Sequence, residues 1–86
     1  MTQDYRSTIA RAVRAGLRGR PVPSEIDAAL ADPDTRLATE RLSFDSLAWM
    51  EFCISIELET GKGLTPADIG QMQYIHEIEE WLRARR

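Results

Sequence analysis

The residues best suited to chemistry stand together in the segment Leu42-Ser43-Phe44-Asp45-Ser46-Leu47. Ser46 lies where a loop is predicted to enter a long helix, so we expect its hydroxyl to be exposed. The partial positive charge of a helix N-terminus favours an anionic group, and a phosphoryl ester on Ser46 would be stabilised there. Asp45 is suited to capping the helix or to helping hold a metal ion while a partner enzyme transfers the phosphoryl group. Taken alone, an Asp-Ser pair is much more often an ordinary N-cap than a site of modification.

The other reactive side chains have simpler explanations. Cys53 is flanked by apolar residues within a helical pattern, which favours a small buried hydrophobe over a nucleophile. A hydrolase triad of Ser46, His76 and Asp45 is disfavoured because Asp45 is adjacent to Ser46 and no oxyanion-loop motif appears. One histidine and one cysteine leave no credible zinc site. These side chains therefore predict no catalytic residues and no metal site.

Length and composition bound the class of protein. The 86 residues, 43% hydrophobic and 29% charged, predict one soluble globular domain spanning 1–86. No apolar run approaches the roughly 20 residues of a membrane span, and no apolar segment near the start resembles a secretory signal. A single cysteine excludes an internal disulfide framework. A cytoplasmic protein is the expectation.

The net charge of −3 hides a partition along the chain. Residues 1–24 carry five arginines and one acid, whereas residues 25–82 carry thirteen acids and three basic residues. Three arginines follow at the C-terminal end. The acidic middle should repel nucleic acid and attract basic partners.

Helical spacing and Gly/Pro punctuation predict a small all-α bundle of three main helices with one or two short ones. A long loop at 32–44, anchored by Leu37 and Leu42, should separate the first and second main helices. No strand signal competes. The predicted elements are a basic amphipathic helix at about 3–18, a short piece at 25–31, a second main helix at about 45–60, a short helix at about 65–70 begun by Thr65-Pro66, and a last helix at about 74–84.

The second main helix is too apolar for a single core face. One stripe at helical spacing comprises Trp49, Phe52, Cys53 and Ile56, and a second comprises Leu47, Met50, Ile54 and Leu58. Acidic residues interrupt the second stripe. An apolar strip rimmed by acids suggests a surface that binds a partner. The alternative is a central helix buried on both sides.

The segment from about Leu42 to Leu82 resembles the acyl carrier protein and thiolation-domain family without a gap. The likeness starts at the Asp45-Ser46-Leu47 triplet and continues through the acidic apolar helix, the proline-containing short helix and the last helix. In that family the serine of a D-S-L motif carries 4′-phosphopantetheine. The sequence departs from the family pattern at Ser43, where glycine is usual, and at Trp49, where a small or polar residue is usual.

The resemblance implies a carrier that holds an acyl or aminoacyl group as a thioester on 4′-phosphopantetheine attached to Ser46, beside Asp45 and Leu47. The implied partners are a phosphopantetheinyl transferase, an acyl- or aminoacyl-loading ligase or synthase, and downstream acyl-transferring enzymes of lipid or polyketide biosynthesis. The resemblance further implies a monomer that is not an enzyme. The acidic middle of the chain, for its part, predicts that the protein binds no nucleic acid. The implied docking residues are Leu47, Met50, Glu51, Ile54 and Glu57.

Two other functions remain open on the sequence. The arginines of the first helix are suited to a helical module that binds an acidic protein or nucleic acid. A degenerate carrier fold serving as a docking subunit would keep the same helices without a modified serine.

Overall fold

The computed structural model describes residues 5–32 and 37–85. These ranges contain no β-strand, and a single isolated bridge joins Ala38 to Tyr74, in agreement with the predicted all-α class. Within them, no helix combines the length and apolarity needed to cross a bilayer. The elements are α1 (Tyr5–Leu17), α2 (Ser24–Ala31), a 3₁₀ helix (Thr39–Leu42), α3 (Ser46–Thr60), α4 (Pro66–Ile69) and α5 (Ile75–Ala84).

The observed helix bounds lie close to the predicted ones, with two differences. The first helix was expected at about 3–18, and it ends at Leu17 because Arg18 takes a left-handed conformation with φ of 55°. Residues 3 and 4 lie outside the described ranges. The expected loop at 32–44 contains the 3₁₀ helix, while its anchors Leu37 and Leu42 are buried as predicted.

Local capping explains where α3 ends and where α4 begins. At the end of α3, Gly61 adopts φ of 74° and its N–H donates to the carbonyl of Glu57 at 2.8 Å. At the start of α4, the hydroxyl of Thr65 accepts from the N–H of Asp68, whose carboxylate accepts from the N–H of Thr65. This reciprocal pair is a capping box, with Pro66 at the first helical position.

The core lies between α1, α3 and α5. α1 packs mainly against α3 and also contacts α5 and α2. Gly16 lets α1 approach the start of α3 closely, because a Cβ there would lie 2.5 Å from the ring of Phe44 and 3.1 Å from the carbonyl oxygen of Ala48. The largest fully buried side chains are Ile9, Val13, Phe52, Ile56, Ile78 and Leu82.

Backbone hydrogen bonds hold the segment that leads into α3. The N–H of Thr39 donates to the carbonyl of Gln73 at 2.9 Å, and the N–H of Ile75 donates to the carbonyl of Leu37 at 2.8 Å. These two bonds flank the bridge between Ala38 and Tyr74 and tie the segment to the start of α5. The approach to Ser46 is therefore fixed by a second, distant part of the chain.

Candidate modification and docking site

Ser46 is the first residue of α3, and its side chain is exposed. The preceding Asp45 is the N-cap: its Oδ1 accepts from the N–H of Ala48 at 2.8 Å, and its carbonyl accepts from the N–H of Trp49 at 3.0 Å. Asp45 thus takes the capping role considered from the sequence. The Ser46 hydroxyl stands beside this cap, at the end of α3 where an anion is stabilised.

A tight reversal of the backbone places Ser46 there. The 3₁₀ helix ends at Leu42. The next residue, Ser43, has a φ of 53° in the left-handed region, and its N–H donates to the carbonyl of Glu40 at 3.1 Å. Glycine adopts this conformation more readily than serine. Ser43 therefore adopts a backbone conformation that a glycine would also fit.

Three aromatic rings connect the start of α3 to the core. Phe44 lies 4.9 Å from Trp49, and Trp49 lies 5.2 Å from Phe52, measured between ring centroids and with edge-to-face geometry. Phe44 and Phe52 also meet edge to face, at 6.4 Å. Such pairs contribute about 0.5–1.5 kcal/mol beyond their buried area. The cluster therefore fixes the position of the helix end that carries Ser46.

A surface recess opens beside this end of α3. Its volume is about 380 Å³, and α4, the 3₁₀ helix and the aromatic cluster all contribute to its wall. No local sequence pattern indicated this recess, because its walls come from separate segments of the chain. The lining residues are Thr39, Glu40, Ser43, Phe44, Trp49, Pro66, Ile69, Gly70 and Met72.

The two apolar stripes of α3 lie in different surroundings. Phe52, Cys53 and Ile56 of the first stripe are buried, and Trp49 is half-buried. The second stripe is exposed, so the alternative of a helix buried on both sides is wrong. Its exposed fractions are 47% for Leu47, 50% for Met50, 51% for Ile54 and 83% for Leu58.

Carboxylates accompany the exposed stripe. Glu57 is exposed and Glu51 is half-buried, and both lie on α3 among its exposed apolar residues. All five residues expected to dock partners therefore belong to one helix. They begin next to Ser46 and continue along the same exposed side.

Cys53 is not placed for nucleophilic chemistry. Burial, together with the negative charge of Asp68, raises the pKa of its thiol to about 11. The thiol is therefore protonated at neutral pH and unreactive.

His76 stacks on the ring of Tyr74 at 5.6 Å between centroids. Among residues 5–32 and 37–85, no group of three or more His, Cys, Asp and Glu side chains is arranged to hold a metal ion.

Two arginines of α1 are used within the molecule. The guanidinium of Arg11 makes two hydrogen bonds to the carboxylate of Glu59, at 2.5 and 2.9 Å, and lowers the pKa of that carboxyl group. Arg6 pairs with Glu79 of α5 at 3.3 Å. No local sequence pattern pairs residues so far apart along the chain. These contacts reduce the positive charge of α1 that is available to a nucleic acid.

The chain matches no family model, no curated protein and no solved structure.

Proposed function

We propose that this protein is a carrier that holds an acyl or aminoacyl group as a thioester on 4′-phosphopantetheine bound to Ser46. The observation that carries the proposal is a single helix, α3, that begins with an exposed serine and continues as an exposed apolar stripe with carboxylates. The opposite side of the same helix is anchored in the core. A modifiable group and a docking surface are thus combined on one rigid element.

The residues at the start of α3 fit an attached phosphodiester. The Ser46 oxygen would attack the β-phosphorus of coenzyme A while a partner transferase takes the hydroxyl proton. The new Ser46 O–P bond replaces the P–O bond to the bridging pyrophosphate oxygen, and adenosine 3′,5′-bisphosphate leaves. Asp45 holds the helix end, and the helix N-terminus stabilises the remaining negative charge. The arm supplies the thiol that forms the thioester.

The docking surface suits short-lived complexes. Glu51 and Glu57 would raise the encounter rate with basic partner surfaces, and the small apolar stripe would limit the residence time. Such a protein presents cargo to a loading ligase or synthase and then to acyl-transferring enzymes. It is not itself a catalyst, and we propose that it works as a cytoplasmic monomer.

The test is intact-protein mass after incubation with coenzyme A, Mg²⁺ and a broad-specificity phosphopantetheinyl transferase. We expect a gain of one phosphopantetheine in the native chain, none in Ser46→Ala, and an unchanged gain in Ser43→Gly. Ser43→Gly is the matched control because it removes a nearby hydroxyl, and glycine easily adopts the left-handed backbone conformation found there. No gain in the folded native chain, with a transferase that modifies another carrier, would contradict the proposal and favour the docking-subunit alternative.

Docking is tested by the rate of the same modification. Glu51→Lys should lower the transferase kcat/KM by about three- to tenfold, since reversing a charge at an interface mainly slows association. Glu80→Lys, at an exposed position on α5 rather than on α3, is the matched control and should leave the rate unchanged. Equal rates for both variants would remove Glu51 from the docking surface.

A further inference from the structure

We propose that the recess beside the start of α3 is the cargo site of this chain. It would accept a compact, uncharged or cationic acyl group with a ring or a branched carbon skeleton, and the core would stay closed to longer chains. This inference rests on the proposed function, because the cargo reaches the recess only from an arm on Ser46. The arguments are the position of the recess, its lining, its charge and the aromatic cluster behind it.

The recess lies within one helical turn of Ser46. Trp49, in its wall, is three residues after Ser46 on α3, and residues with this spacing are neighbours on a helix surface at roughly 5–6 Å between Cβ atoms. Ser43, also in the wall, precedes Ser46 through the tight turn. A flexible arm attached at Ser46 therefore starts at the edge of the recess and can fold back into it.

The lining favours apolar groups of moderate size. Phe44 and Trp49 provide aromatic surfaces, and Pro66, Ile69 and Met72 complete the apolar part. Aromatic faces bind rings through offset or edge contacts, and methionine adapts to irregular shapes. A volume of about 380 Å³ is near the lower end of typical small-molecule pockets, roughly 300–1,000 Å³. A compact acyl group fits this volume better than an extended chain does.

Glu40 provides the charge selectivity. Among the residues that the structure describes, it is the one charged residue in the wall of the recess, and it is exposed. A carboxylate on the cargo would be repelled by Glu40, whereas an amino group would be attracted. Acyl groups derived from dicarboxylic acids should therefore be excluded, and neutral or amino-substituted ones admitted.

The aromatic cluster closes the path from the recess to the core. Phe44, Trp49 and Phe52 contact one another edge to face, and Phe52 is fully buried behind the other two. The side chains beyond Phe52, including Ile56, are also fully buried. Because protein interiors are closely packed, a chain that entered the core would have to displace one of these rings.

The experiment loads Ser46 directly with the transferase, using coenzyme A, phenylacetyl-, malonyl- and octanoyl-coenzyme A in parallel, and confirms each product by intact mass. NMR spectra then report the indole N–H of Trp49, with Trp81 on α5 as an internal control, and the methyl groups of Ile56. We expect the phenylacetyl group to shift Trp49 relative to the unacylated arm, the malonyl group to leave it unchanged, and the octanoyl group to leave Ile56 unchanged.

A matched pair of variants tests the charge argument. Glu40→Gln should allow the malonyl group to shift Trp49, while Glu80→Gln, on α5 and outside the recess, should not. If the phenylacetyl and unacylated proteins give the same Trp49 signal, or if the octanoyl group shifts Ile56 and raises Tm, the cargo site is overturned and the carrier function stands. If no arm is added at all, the proposed function fails, and the cargo site fails with it.

Discussion

The two apolar stripes of α3 are similar in residue type and opposite in surroundings. Phe52, Cys53 and Ile56 are at most 5% exposed, whereas Met50 and Ile54 are about half exposed, at 50% and 51%. Full burial of a large apolar side chain is worth about 1.5–3 kcal/mol. The inner stripe therefore stabilises the fold, and the outer stripe leaves apolar surface available for a partner. Hydrophobicity alone does not separate the two roles; the neighbouring helices do.

The largest expected loss of stability distinguishes the buried stripe of α3 from the exposed one. Phe52→Ala should lower the free energy of unfolding by about 3–5 kcal/mol, because it leaves a cavity in the core and removes two aromatic contacts. Ile54→Ala should change it by less than about 0.5 kcal/mol. Urea denaturation followed by circular dichroism measures both.

The alanine variant of Phe52 could unfold altogether, since a domain of this size has on the order of 4–13 kcal/mol of stability. Phe52→Leu, with an expected loss of about 1.5 kcal/mol, keeps the comparison measurable. Similar losses for Phe52→Leu and Ile54→Ala would mean that the two stripes do not differ in their contribution to folding.

Acidic residues beside the second stripe indicated from the sequence that this stripe is the exposed one, and the structure buries the first stripe. Helical spacing defined both stripes, and capping residues located α3 and α4 closely, because these signals are local. What the sequence did not indicate is how α1 packs against this region: Gly16 lets α1 approach the ring of Phe44, just before α3. Sequence reasoning treats a glycine in a helix as a weak point, whereas here its missing side chain makes room for the aromatic ring.

The second largest loss of stability is expected at the contact between Gly16 and Phe44. Gly16→Val should lower the free energy of unfolding by about 2 kcal/mol, because a Cβ would meet the Phe44 ring at 2.5 Å and the carbonyl of Ala48 at 3.1 Å. Gly63→Ala is the matched control, since no atom lies within 4 Å of the Cβ it would add. Thermal denaturation compares the two variants. Equal Tm values for them would show that α1 does not need a glycine at this contact.

A smaller loss of stability should distinguish the roles of Asp45 and Ser46, two adjacent residues at the start of α3. Asp45→Ala removes the side chain that accepts from the N–H of Ala48, and the loss of such a cap costs about 1 kcal/mol. Ser46→Ala should leave stability almost unchanged, because Ser46 is exposed and outside this hydrogen bond. Denaturation of the unmodified proteins measures the difference. A loss for Ser46→Ala as large as that for Asp45→Ala would assign Ser46 a structural role.

The candidate site was only partly predictable. Asp45, Ser46 and the outer stripe follow one another along the chain, so motif and spacing were enough to place them on one element. The recess joins Glu40, Trp49, Pro66 and other residues from separate segments, and its shape depends on how three edge-to-face rings pack. No local pattern encodes that packing.

The smallest expected change in stability distinguishes Glu59 from Glu51, two glutamates of α3. Arg11 lowers the pKa of Glu59 through direct hydrogen bonds, whereas Glu51 makes no ion pair within the described residues. Glu59→Gln should therefore cost about 0.5 kcal/mol at neutral pH, a value limited by the exposure of the pair to solvent, and Glu51→Gln should cost less. Denaturation at low and high salt measures both.

The same pair should give a pH dependence with a defined sign. Because folding lowers the pKa of Glu59 below its ordinary value of 4.5, its stabilising contribution is fully present above about pH 4.5 and is lost as the pH falls through the lowered pKa. The difference in stability between the native chain and Glu59→Gln should therefore shrink on acidification. A difference that stays constant from neutral to acidic pH would mean that the carboxylate does not tie α1 to α3, and that the acidic residues of α3 serve only its exposed surface.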